Sequence, residues 1–593
     1  ATLKYRNLNM LSSKEIQNSF YDLVICKDED PFVDKTDLIA DLNKCLDKKQ
    51  KKFKAVTRPR RFGKTVTAEM LRLYYSKDYN LEEVKEIFAD LKIAQDPSFL
   101  EHLNKYTVIY LDMNDINSDY ATYINPSSEH IIGVDSFVDF IQYFTIESLK
   151  ENDTFKDVIE KSKFVSNVGL AKVVKILNKN LGEKFICIID EWDLIFRNFI
   201  DDVELQKQFI ELLNGLFKAT EAGNCFSLVY MTGILPIKKY ESHSLLNNFD
   251  EYNMLEPFDY AKYFGFTDEE VKELVKKYNT SLTYEDLKEW YDGYKLEGME
   301  IYNPYSVFKA ITKRRTFCYF NTTASNEDVD KIIDTNLYEL YDDVQKLVDG
   351  QKVPFSSSKF ENNITQIKSR DDVYCLLTCL GYLACIDLPT DYIKELDNYR
   401  KIAGNAIKKF NKLAFIPNKE IMTIFEQYTI DSETWKKTLE SINKAKKITL
   451  SLLQMDEERV AKDFTEFYLS GFIAKNDRTR EANLRLAFIT FLKPYTENNY
   501  TVKPDESAGL GYADLVYYPL PFTNIKPNFP IIIEFKIDKN TDIALKQIKD
   551  RQYYEDCIPS YKDIILVAIN YNSKAKKCEC KITKYSDLEP NLK

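Results

Sequence analysis

The chain has 593 residues, about three or four times the length of a typical single domain, so several domains are expected. With 44% hydrophobic and 30% charged residues and only 16 Gly and 18 Pro, the composition is typical of folded domains and excludes a collagen-like or low-complexity chain. The formal net charge of -11 excludes a protein that is basic throughout and binds nucleic acid indiscriminately.

Cysteine and histidine usage excludes several kinds of site. The 11 cysteines are scattered without a C-x-x-C pair, and the 3 histidines are far apart, which argues against a zinc site and against a Cys-His or Ser-His-Asp triad. Reduced thiols within apolar runs favour an intracellular location, cytoplasmic or nuclear. No apolar stretch reaches the ~18 residues that a membrane-spanning helix needs, so no membrane partner is expected.

Apolar runs alternate with helix-like amphipathic patterns in the first third of the chain. The runs are short and almost continuously hydrophobic, which is typical of parallel strands that are buried on both faces. We therefore expect an α/β fold, with a parallel sheet covered by helices on both sides. The predicted strands are residues 53–57, 106–112, 185–190 and 226–232, and Leu205 to Phe217 is a predicted helix.

The pattern becomes helical from about residue 259 and returns to strands and turns from about residue 461. Thr267 followed by Glu270 predicts a capped helix start. Residues 371–386 are apolar enough for one buried helix. The predicted domains are an α/β domain at 1–258, a helical middle region at 259–460 and a second α/β domain at 461–593.

The segment "VTRPRRFGKT" has the order of strand, loop and helix that binds nucleotide phosphates. Such a P-loop presents backbone N–H groups and a lysine to the phosphates and a Ser or Thr hydroxyl to Mg²⁺. Here the strand at 53–57 is followed by Gly63, Lys64 and Thr65. Arg58 stands where the usual G-x-x-x-x-G-K-T pattern has its first glycine. A Gly-Lys-Thr triplet alone is weak evidence for a P-loop.

Two other predicted strands end in groups that nucleotide hydrolysis needs. Asp190 and Glu191 follow the run "FICII" and provide a carboxylate for the metal and a base for the attacking water. Thr232 ends the next strand, where a polar side chain could sense the γ-phosphate. In a parallel sheet these ends lie at the edge where ligands bind. The alternative is an ordinary α/β sheet with acidic strand ends.

Seven motifs follow one another between residues 32 and 421: "FVDKTDLI", "TRPRRFGKT", "IIDEWD", "YMTGILPIKK", "WYDGYK", "YNPYSV" and "IPNKEI". Together they resemble the AAA-ATPase-like family in which an N-terminal P-loop domain is fused to a C-terminal PD-(D/E)XK nuclease-like domain. In that family the loop usually reads Arg-Pro-Arg-Arg-Phe-Gly-Lys-Ser/Thr, so Arg58 fits the pattern. Arg60 and Arg61 are expected to face phosphate oxygens, although charge alone does not say which one does.

The resemblance implies that ATP and Mg²⁺ are the cofactors. It places Lys64 on the phosphates and Thr65 and Asp190 around Mg²⁺. Glu191 would act as the base.

A second group of charged residues lies near the C terminus. Asp514 begins one apolar strand, and Glu534 and Lys536 lie two residues apart on the next, so they share a face while Phe535 points to the core. Phosphodiester hydrolysis needs carboxylates such as Asp514 and Glu534 to bind Mg²⁺. An E-x-K triplet alone is more often a surface ion pair. With Gln547 on the following helix, however, the arrangement resembles the PD-(D/E)XK superfamily.

This second resemblance implies that the two carboxylates are catalytic metal ligands and that Lys536 positions the attacking water. Gln547 matches the glutamine that often follows in the superfamily, and Glu481 on an upstream helix could add a carboxylate. The family commonly reads Gly-Arg-x-Asp before the first acid, whereas this chain has Tyr512 in place of the arginine.

These features predict an ATP-binding and ATP-hydrolysing protein whose Mg²⁺-dependent nuclease-like domain acts on nucleic acid, preferably DNA, under control of the ATP site. One alternative is a nucleotide-gated switch or interaction protein whose nuclease-like domain does not cut, which the acidic net charge favours. Another is an ATPase that remodels a protein partner. The oligomeric state stays open, with a homo-oligomer as one option.

Overall fold

The chain divides into two compact units, each built from three segments. The N-terminal unit comprises Ala1–Ser325, Ser357–Ile386 and Ala414–Ile424, and the C-terminal unit comprises Asn326–Ser356, Asp387–Leu413 and Phe425–Lys593. The predicted boundaries after residues 258 and 460 stay predictions. The structure, a computed structural model, describes residues 16, 18–124, 131, 133–162, 169–237, 247–278, 280–320, 332–333, 337–358, 360, 367, 369–403, 410–472, 478, 480–497, 499–521, 523 and 526–588.

Strands and helices alternate along most of the described chain. The strands are β1 (Phe53–Thr57), β2 (Thr107–Asp112), β3 (Phe185–Asp190), β4 (Phe226–Gly233), β5 (Asp250–Tyr252), β6 (Phe266–Thr267), β7 (Tyr294–Leu296), β8 (Met299–Tyr302), β9 (Val353–Phe355), β10 (Ala384–Asp387), β11 (Lys412–Phe415), β12 (Tyr500–Ala508), β13 (Gly511–Pro519), β14 (Ile531–Ile537), β15 (Ile565–Asn572) and β16 (Lys577–Lys584). The helices are α1 (Ser19–Ile25), α2 (Asp37–Asn43), α3 (Lys64–Tyr75), α4 (Leu81–Phe88), α5 (Phe99–His102), α6 (Met113–Tyr123), α7 (Phe137–Leu149), α8 (Asp153–Lys161), α9 (Leu170–Leu181), α10 (Leu194–Asn198), α11 (Val203–Phe217), α12 (Thr220–Gly223), α13 (Asp268–Lys277), α14 (Tyr284–Tyr291), α15 (Pro304–Lys313), α16 (Leu337–Val348), α17 (Arg370–Leu380), α18 (Thr390–Ala403), α19 (Lys419–Asp431), α20 (Glu433–Leu453), α21 (Glu457–Phe467), α22 (Glu481–Thr496), α23 (Thr541–Asp550) and α24 (Tyr585–Leu588). No helix among these described residues is both long enough and apolar enough to span a lipid bilayer.

A five-stranded sheet forms the centre of the N-terminal unit. Its strand order is β2-β3-β4-β1-β5, and every neighbouring pair is parallel. The four strands predicted from the apolar runs and the predicted helix, which is α11, are confirmed. Because β4 lies between β1 and β3, the P-loop strand and the strand that ends in the acidic pair are one strand apart.

Both faces of this sheet are buried, which explains why its strands are hydrophobic at successive positions. On β3, Phe185, Cys187 and Ile189 belong to one hydrophobic cluster, and Ile186 and Ile188 belong to another. Alternate residues of a strand point to opposite faces, so each cluster is the core beneath one helical layer. Because both faces are apolar, polar side chains for a site come from the carboxyl ends of the strands.

The segment after the sheet is only partly as predicted. The capped start of α13 is confirmed, because the Thr267 hydroxyl and the Glu270 carboxylate accept each other's backbone N–H. The prediction of one buried helix over residues 371–386 is wrong. The helix α17 ends at Leu380 because Gly381 adopts a left-handed conformation at φ +88°, and the apolar residues beyond it form β10.

The C-terminal unit contains a second five-stranded sheet, of order β12-β13-β14-β15-β16. The pair β14–β15 is parallel and the other pairs are antiparallel, so the Asp514 and Glu534 strands form an antiparallel pair. The helix α23 connects the two parallel strands. On the other face Phe488 of α22 packs against Phe535 of β14, with ring centroids 5.6 Å apart.

Candidate functional sites

The P-loop sequence forms a tight loop between β1 and α3. Gly63 caps α3, and Lys64 is the first residue of the helix. The Lys64 ammonium donates to the carbonyl of Pro59 at 3.0 Å, and its Nζ lies 3.6 Å from Oε1 of Glu191. The lysine is therefore held within the concavity of the loop beside the predicted base.

Thr65 and Asp190 also come together, as their predicted shared role requires. The Thr65 hydroxyl hydrogen-bonds to the carboxylate of Asp190, which is buried and lies directly opposite Asp112 in the β2–β3 register. Burial raises the pKa of Asp190 to about 7, and the charges of Glu191 and Asp112 act in the same direction. Thr65 and Lys64 oppose this rise without cancelling it. A divalent cation at this position would relieve the unfavourable charge.

Glu191 is held by a network that the sequence did not reveal. It has a left-handed backbone at φ +56°, a strained conformation for a residue other than glycine. Its carboxylate forms an ion pair with Arg197, whose Nε lies 3.0 Å from Oδ2 of Asp193. Asp193 in turn accepts the N–H groups of Ile234 and Leu235, which follow β4. The only signal in the sequence was the helical i, i+4 spacing of Asp193 and Arg197.

Arg58 does not face the loop interior. Its side chain is fully buried and donates to the carbonyls of Thr57, Tyr252 and Tyr260 at 2.8, 2.9 and 3.3 Å. Burial lowers the pKa of this guanidinium to about 10. Arg58 thus joins the end of β1 to β5 and to the short 3₁₀ helix Phe258–Tyr263. Thr232 is also buried, and its Oγ1 has no hydrogen-bond partner among the described residues.

A cavity of about 570 Å³ opens beside the P-loop, within the usual size of a ligand pocket. Its lining includes residues predicted for the nucleotide site, namely Arg60, Arg61, Gly63, Lys64, Thr65 and the predicted base Glu191, but not Asp190 or Thr232. Its apolar side is rich in large side chains, including Phe20, Phe32, Met70, Tyr263, Phe266 and Phe308. Arg60 is exposed, whereas the Arg61 guanidinium lies 4.0 Å from the ring centroid of Tyr305.

In the C-terminal unit, Asp514, Glu534 and Lys536 converge at the edge of the β13–β14 pairing. Asp514 Oδ2 accepts the backbone N–H of Phe535 at 2.8 Å, and Glu534 Oε1 accepts from the Lys536 ammonium at 2.8 Å. Oε2 of Glu534 is buried without a hydrogen-bond partner among the described residues. An orphaned carboxylate oxygen of this kind is where a metal ligand is expected.

The pKa values at this site reflect burial and like charge. Burial raises the pKa of Glu534 to about 7, with Asp514 adding to the rise and Lys536 opposing it. Burial also raises the pKa of Asp514. For Lys536, burial alone would lower the pKa, but the hydrogen bond and charge of Glu534 and the charges of Glu481 and Asp514 outweigh it and raise the pKa.

The other predicted residues have contacts of their own. Gln547 on α23 donates to the Tyr553 hydroxyl at 3.1 Å, and the Glu481 carboxylate on α22 lies 3.9 Å from Lys539 Nζ. Tyr512, in place of the family's arginine, is 70% exposed. The sequence did not identify Arg485, whose guanidinium lies 3.9 Å from Oδ1 of Asp514.

The oxygen ligands at both sites suit Mg²⁺, an ion that proteins usually bind through only a few side chains. Among the described residues, no group of three or more His, Cys, Asp or Glu side chains forms a complete metal cage. Mg²⁺ in phosphate-processing sites is usually held by one or two carboxylates, with water and phosphate completing its shell. Thr65 with Asp190, and Asp514 with Glu534, supply that number of oxygen ligands.

Comparison with protein families agrees with both resemblances. Residues 18–242 match the family described as Predicted AAA-ATPase, and residues 479–580 match the PD-(D/E)XK nuclease superfamily. The predicted fusion of an AAA-ATPase-like domain with a C-terminal PD-(D/E)XK domain is therefore confirmed. The parallel sheet lies largely within the region that matches the ATPase family, and the mixed sheet lies largely within the region that matches the nuclease superfamily.

Similarity to individual proteins is much weaker. An uncharacterized protein from the vnfD 5' region of Azotobacter chroococcum mcd 1 is 24% identical over 147 residues, which are 24% of this chain and 28% of that protein's length. Among solved structures, the Orc1 protein of Aeropyrum pernix in complex with DNA shares 10% identity at a TM-score of 0.27, covering 69% of this chain and 96% of that one. Cdc6p of Pyrobaculum aerophilum shares 9% sequence identity at a TM-score of 0.19, and the match covers 64% of this chain and 87% of that one. These TM-scores are too low to support a conclusion about fold or function.

Proposed function

We propose that this protein binds and hydrolyses ATP in its N-terminal unit and cleaves nucleic acid, preferably DNA, in its C-terminal unit, with ATP regulating the cleavage. The observation that carries the proposal is that each unit brings its predicted residues together as a buried acid of raised pKa, a neighbouring carboxylate and a lysine. In this proposal the functional domains keep the boundaries 1–258, 259–460 and 461–593.

At the P-loop, the proposed roles follow from the contacts. Lys64 neutralises the terminal phosphates, and Thr65 and Asp190 would hold Mg²⁺, which would supply positive charge at the phosphate oxygens. Glu191, next to Asp190, accepts the proton of the attacking water. Thr232 senses the γ-phosphate through its orphaned hydroxyl.

The shape and chemistry of the cavity favour a nucleoside triphosphate over inorganic phosphate or pyrophosphate. Its polar side carries the P-loop, and its apolar side continues into aromatic and aliphatic side chains. An adenine base presents flat apolar faces that pack well against such side chains. ATP spans both sides of the cavity, whereas a free phosphate contacts only one.

At the second site, Asp514 and Glu534 would hold Mg²⁺, which would supply positive charge to activate water and to neutralise the scissile phosphate. Lys536 orients the water from the same strand face as Glu534. Gln547 and Glu481 are the further residues proposed for this centre, Glu481 as an additional carboxylate.

Nuclease activity is tested by incubating plasmid and linear DNA with the purified protein and Mg²⁺, with and without ATP. We expect Lys536→Ala to lower the rate of DNA cleavage by a factor on the order of 100 or more. The solvent-exposed Lys493→Ala on α22 is the matched control and should cleave like the wild type. DNA that stays intact under every condition would contradict the nuclease and support a non-cutting, nucleotide-gated switch.

The regulatory claim is tested in the same assay with Lys64→Ala. This variant should lose ATP hydrolysis and the response of cleavage to ATP, because it lacks the cation that holds the phosphates. Cleavage that responds to ATP equally in Lys64→Ala and wild type would contradict regulation through this site.

A further inference from the structure

Three of the sequence motifs have no role in either proposed site, yet they meet beside the P-loop. The motif "IPNKEI" contacts "WYDGYK" through Asn418, whose side-chain N–H donates to the carbonyl of Asp292 at 2.8 Å. It contacts "YNPYSV" through Glu420, which accepts from the Ser306 hydroxyl at 3.0 Å. Gly293 lies so close to Pro417 that a Cβ would be 1.9 Å from the proline carbonyl oxygen. The motifs therefore form one packed cluster.

Glu420 is the buried carboxylate of this cluster. Only 1% of the residue is exposed, and its Oε1 accepts the backbone N–H groups of Tyr319 and Phe320 at 2.7 and 2.9 Å, besides the Ser306 hydroxyl. Its Oε2 is buried without a hydrogen-bond partner among the described residues. Burying an ionisable carboxylate is costly. Its presence inside the cluster therefore calls for an explanation beyond packing.

The P-loop reaches the same backbone from the other side. Nη1 of Arg61 donates to the carbonyl of Tyr319 at 2.5 Å, and the guanidinium stacks on Tyr305. The Tyr319 carbonyl and the Phe320 N–H belong to one peptide group. Arg61 thus holds the oxygen of this group and Glu420 holds its N–H. A cation at the oxygen and an anion at the N–H polarise the peptide in the same sense, which strengthens both hydrogen bonds.

We propose that Glu420 is a positioning residue of the nucleotide site, because through the Tyr319–Phe320 peptide it fixes the Arg61 guanidinium at the cavity that binds ATP. The inference rests on the proposed ATP function. Arg61 lines that cavity together with Lys64 and Thr65, and its backbone is left-handed at φ +67°. A cation that is already held in place loses less conformational freedom when phosphate binds. The relay Glu420–peptide–Arg61 should therefore increase ATP affinity.

Two further observations agree with this role. Burial raises the pKa of Glu420 to about 7, while its hydrogen bonds and the charge of Arg61 act against the rise, so the two groups interact electrostatically across the peptide. Glu420 also lies in the first turn of α19, the helix within which the chain passes from the N-terminal to the C-terminal unit after Ile424.

The test is a double-mutant cycle with Glu420→Gln and Arg61→Gln in the full chain, measured at pH 8, where Glu420 with its pKa of about 7 is mostly ionised. Glu420→Gln keeps an acceptor oxygen for the two amides, removes the charge and replaces the buried Oε2 by an amide NH2 group. We expect each single variant to raise the Kd for Mg-ATP about tenfold and to leave kcat for ATP hydrolysis within about twofold, since the lost interaction acts in binding. The double variant should bind no more weakly than Arg61→Gln alone.

Controls separate this relay from a general effect on folding. Glu426→Gln removes an exposed charge from the same helix and should bind ATP like the wild type. Glu420→Asp keeps the charge but draws the carboxylate back from the amides, so it should also weaken ATP binding. This variant provides the test if Glu420→Gln folds poorly. Equal loss of ATP affinity by Glu420→Gln in the wild-type and Arg61→Gln backgrounds would overturn the relay. Unchanged ATP binding by Lys64→Ala would overturn the proposed nucleotide site itself.

Discussion

At the scale of single residues, both proposed sites hold carboxyl groups in surroundings that disfavour their charge. The pKa values of Asp190 and Glu534 are both raised to about 7, chiefly by burial. A folded protein accepts such a cost where a group must bind a cation, so activity and stability make opposite demands. Removing one of these charges should then stabilise the protein and abolish its function.

This trade-off predicts a pH-dependent effect of Asp190→Asn. The folded pKa of Asp190 lies above the unfolded value of about 4, so ionisation destabilises the folded wild type increasingly as pH rises from about 4 to about 7. Above pH 7 the variant should be more stable than the wild type by on the order of 4 kcal/mol, and near pH 4 the two should be equal. Urea unfolding at several pH values, without nucleotide or metal, measures the difference.

The exposed Asp201→Asn is the control for this measurement and should leave stability unchanged at every pH. A gain in stability for Asp190→Asn that is the same at pH 4 and pH 8 would contradict the assigned cause. Such a result would place the effect in packing rather than in charge.

The sequence indicated which residues lie close together where a motif fixes them, and it gave no sign of contacts whose partner comes from elsewhere in the chain. Lys64, Thr65 and Asp190 lie together, as the motifs indicate. Arg197 and Glu420 were not identified, because their roles depend on tertiary contacts with Glu191 and with the Tyr319–Phe320 peptide. No local pattern encodes such contacts.

At the scale of elements, continuous hydrophobic runs identified the strands of the parallel sheet, because strands buried on both faces need apolar residues at every position. The same rule misled the prediction for residues 371–386, where Gly381 divides an apolar stretch into a helix and a strand. The strand order could not be predicted from the sequence, because the position of β4 between β1 and β3 depends on pairing between strands that are distant in the chain.

The close contact between Gly293 and Pro417 makes a prediction at this scale. Gly293→Ala should lower the free energy of unfolding by roughly 3 kcal/mol or more, because the new Cβ would lie 1.9 Å from the Pro417 oxygen and the cluster must shift. Gly298→Ala is the matched control. It also has a positive φ, at +76°, but a Cβ there meets nothing within 4 Å, so it should cost only about 1 kcal/mol.

Urea unfolding midpoints of the two variants give the comparison. If both glycine variants lost the same stability, the contact with Pro417 would not be the reason that position 293 is glycine. The left-handed backbone alone would then account for both.

At the scale of the whole molecule, the two compact units are built from interleaved segments, since the chain leaves and re-enters the N-terminal unit twice before Ile424. This interleaving was not predicted, because composition and sequence patterns give no sign that distant segments share a core. Domains predicted from sequence are therefore contiguous. The order of the two family-matched regions was nevertheless predictable, because each carries its own motif of charged residues at strand ends.

A structure with an ATP analogue, Mg²⁺ and a short DNA duplex would show whether one chain holds two separate phosphate-processing sites. The account predicts a triphosphate in the cavity with its terminal phosphates on Lys64 and Arg61 and its metal at Thr65 and Asp190. It also predicts a DNA phosphate and a second metal beside Asp514, Glu534 and Lys536. A triphosphate bound away from the P-loop, or DNA bound away from those three residues, would contradict the account.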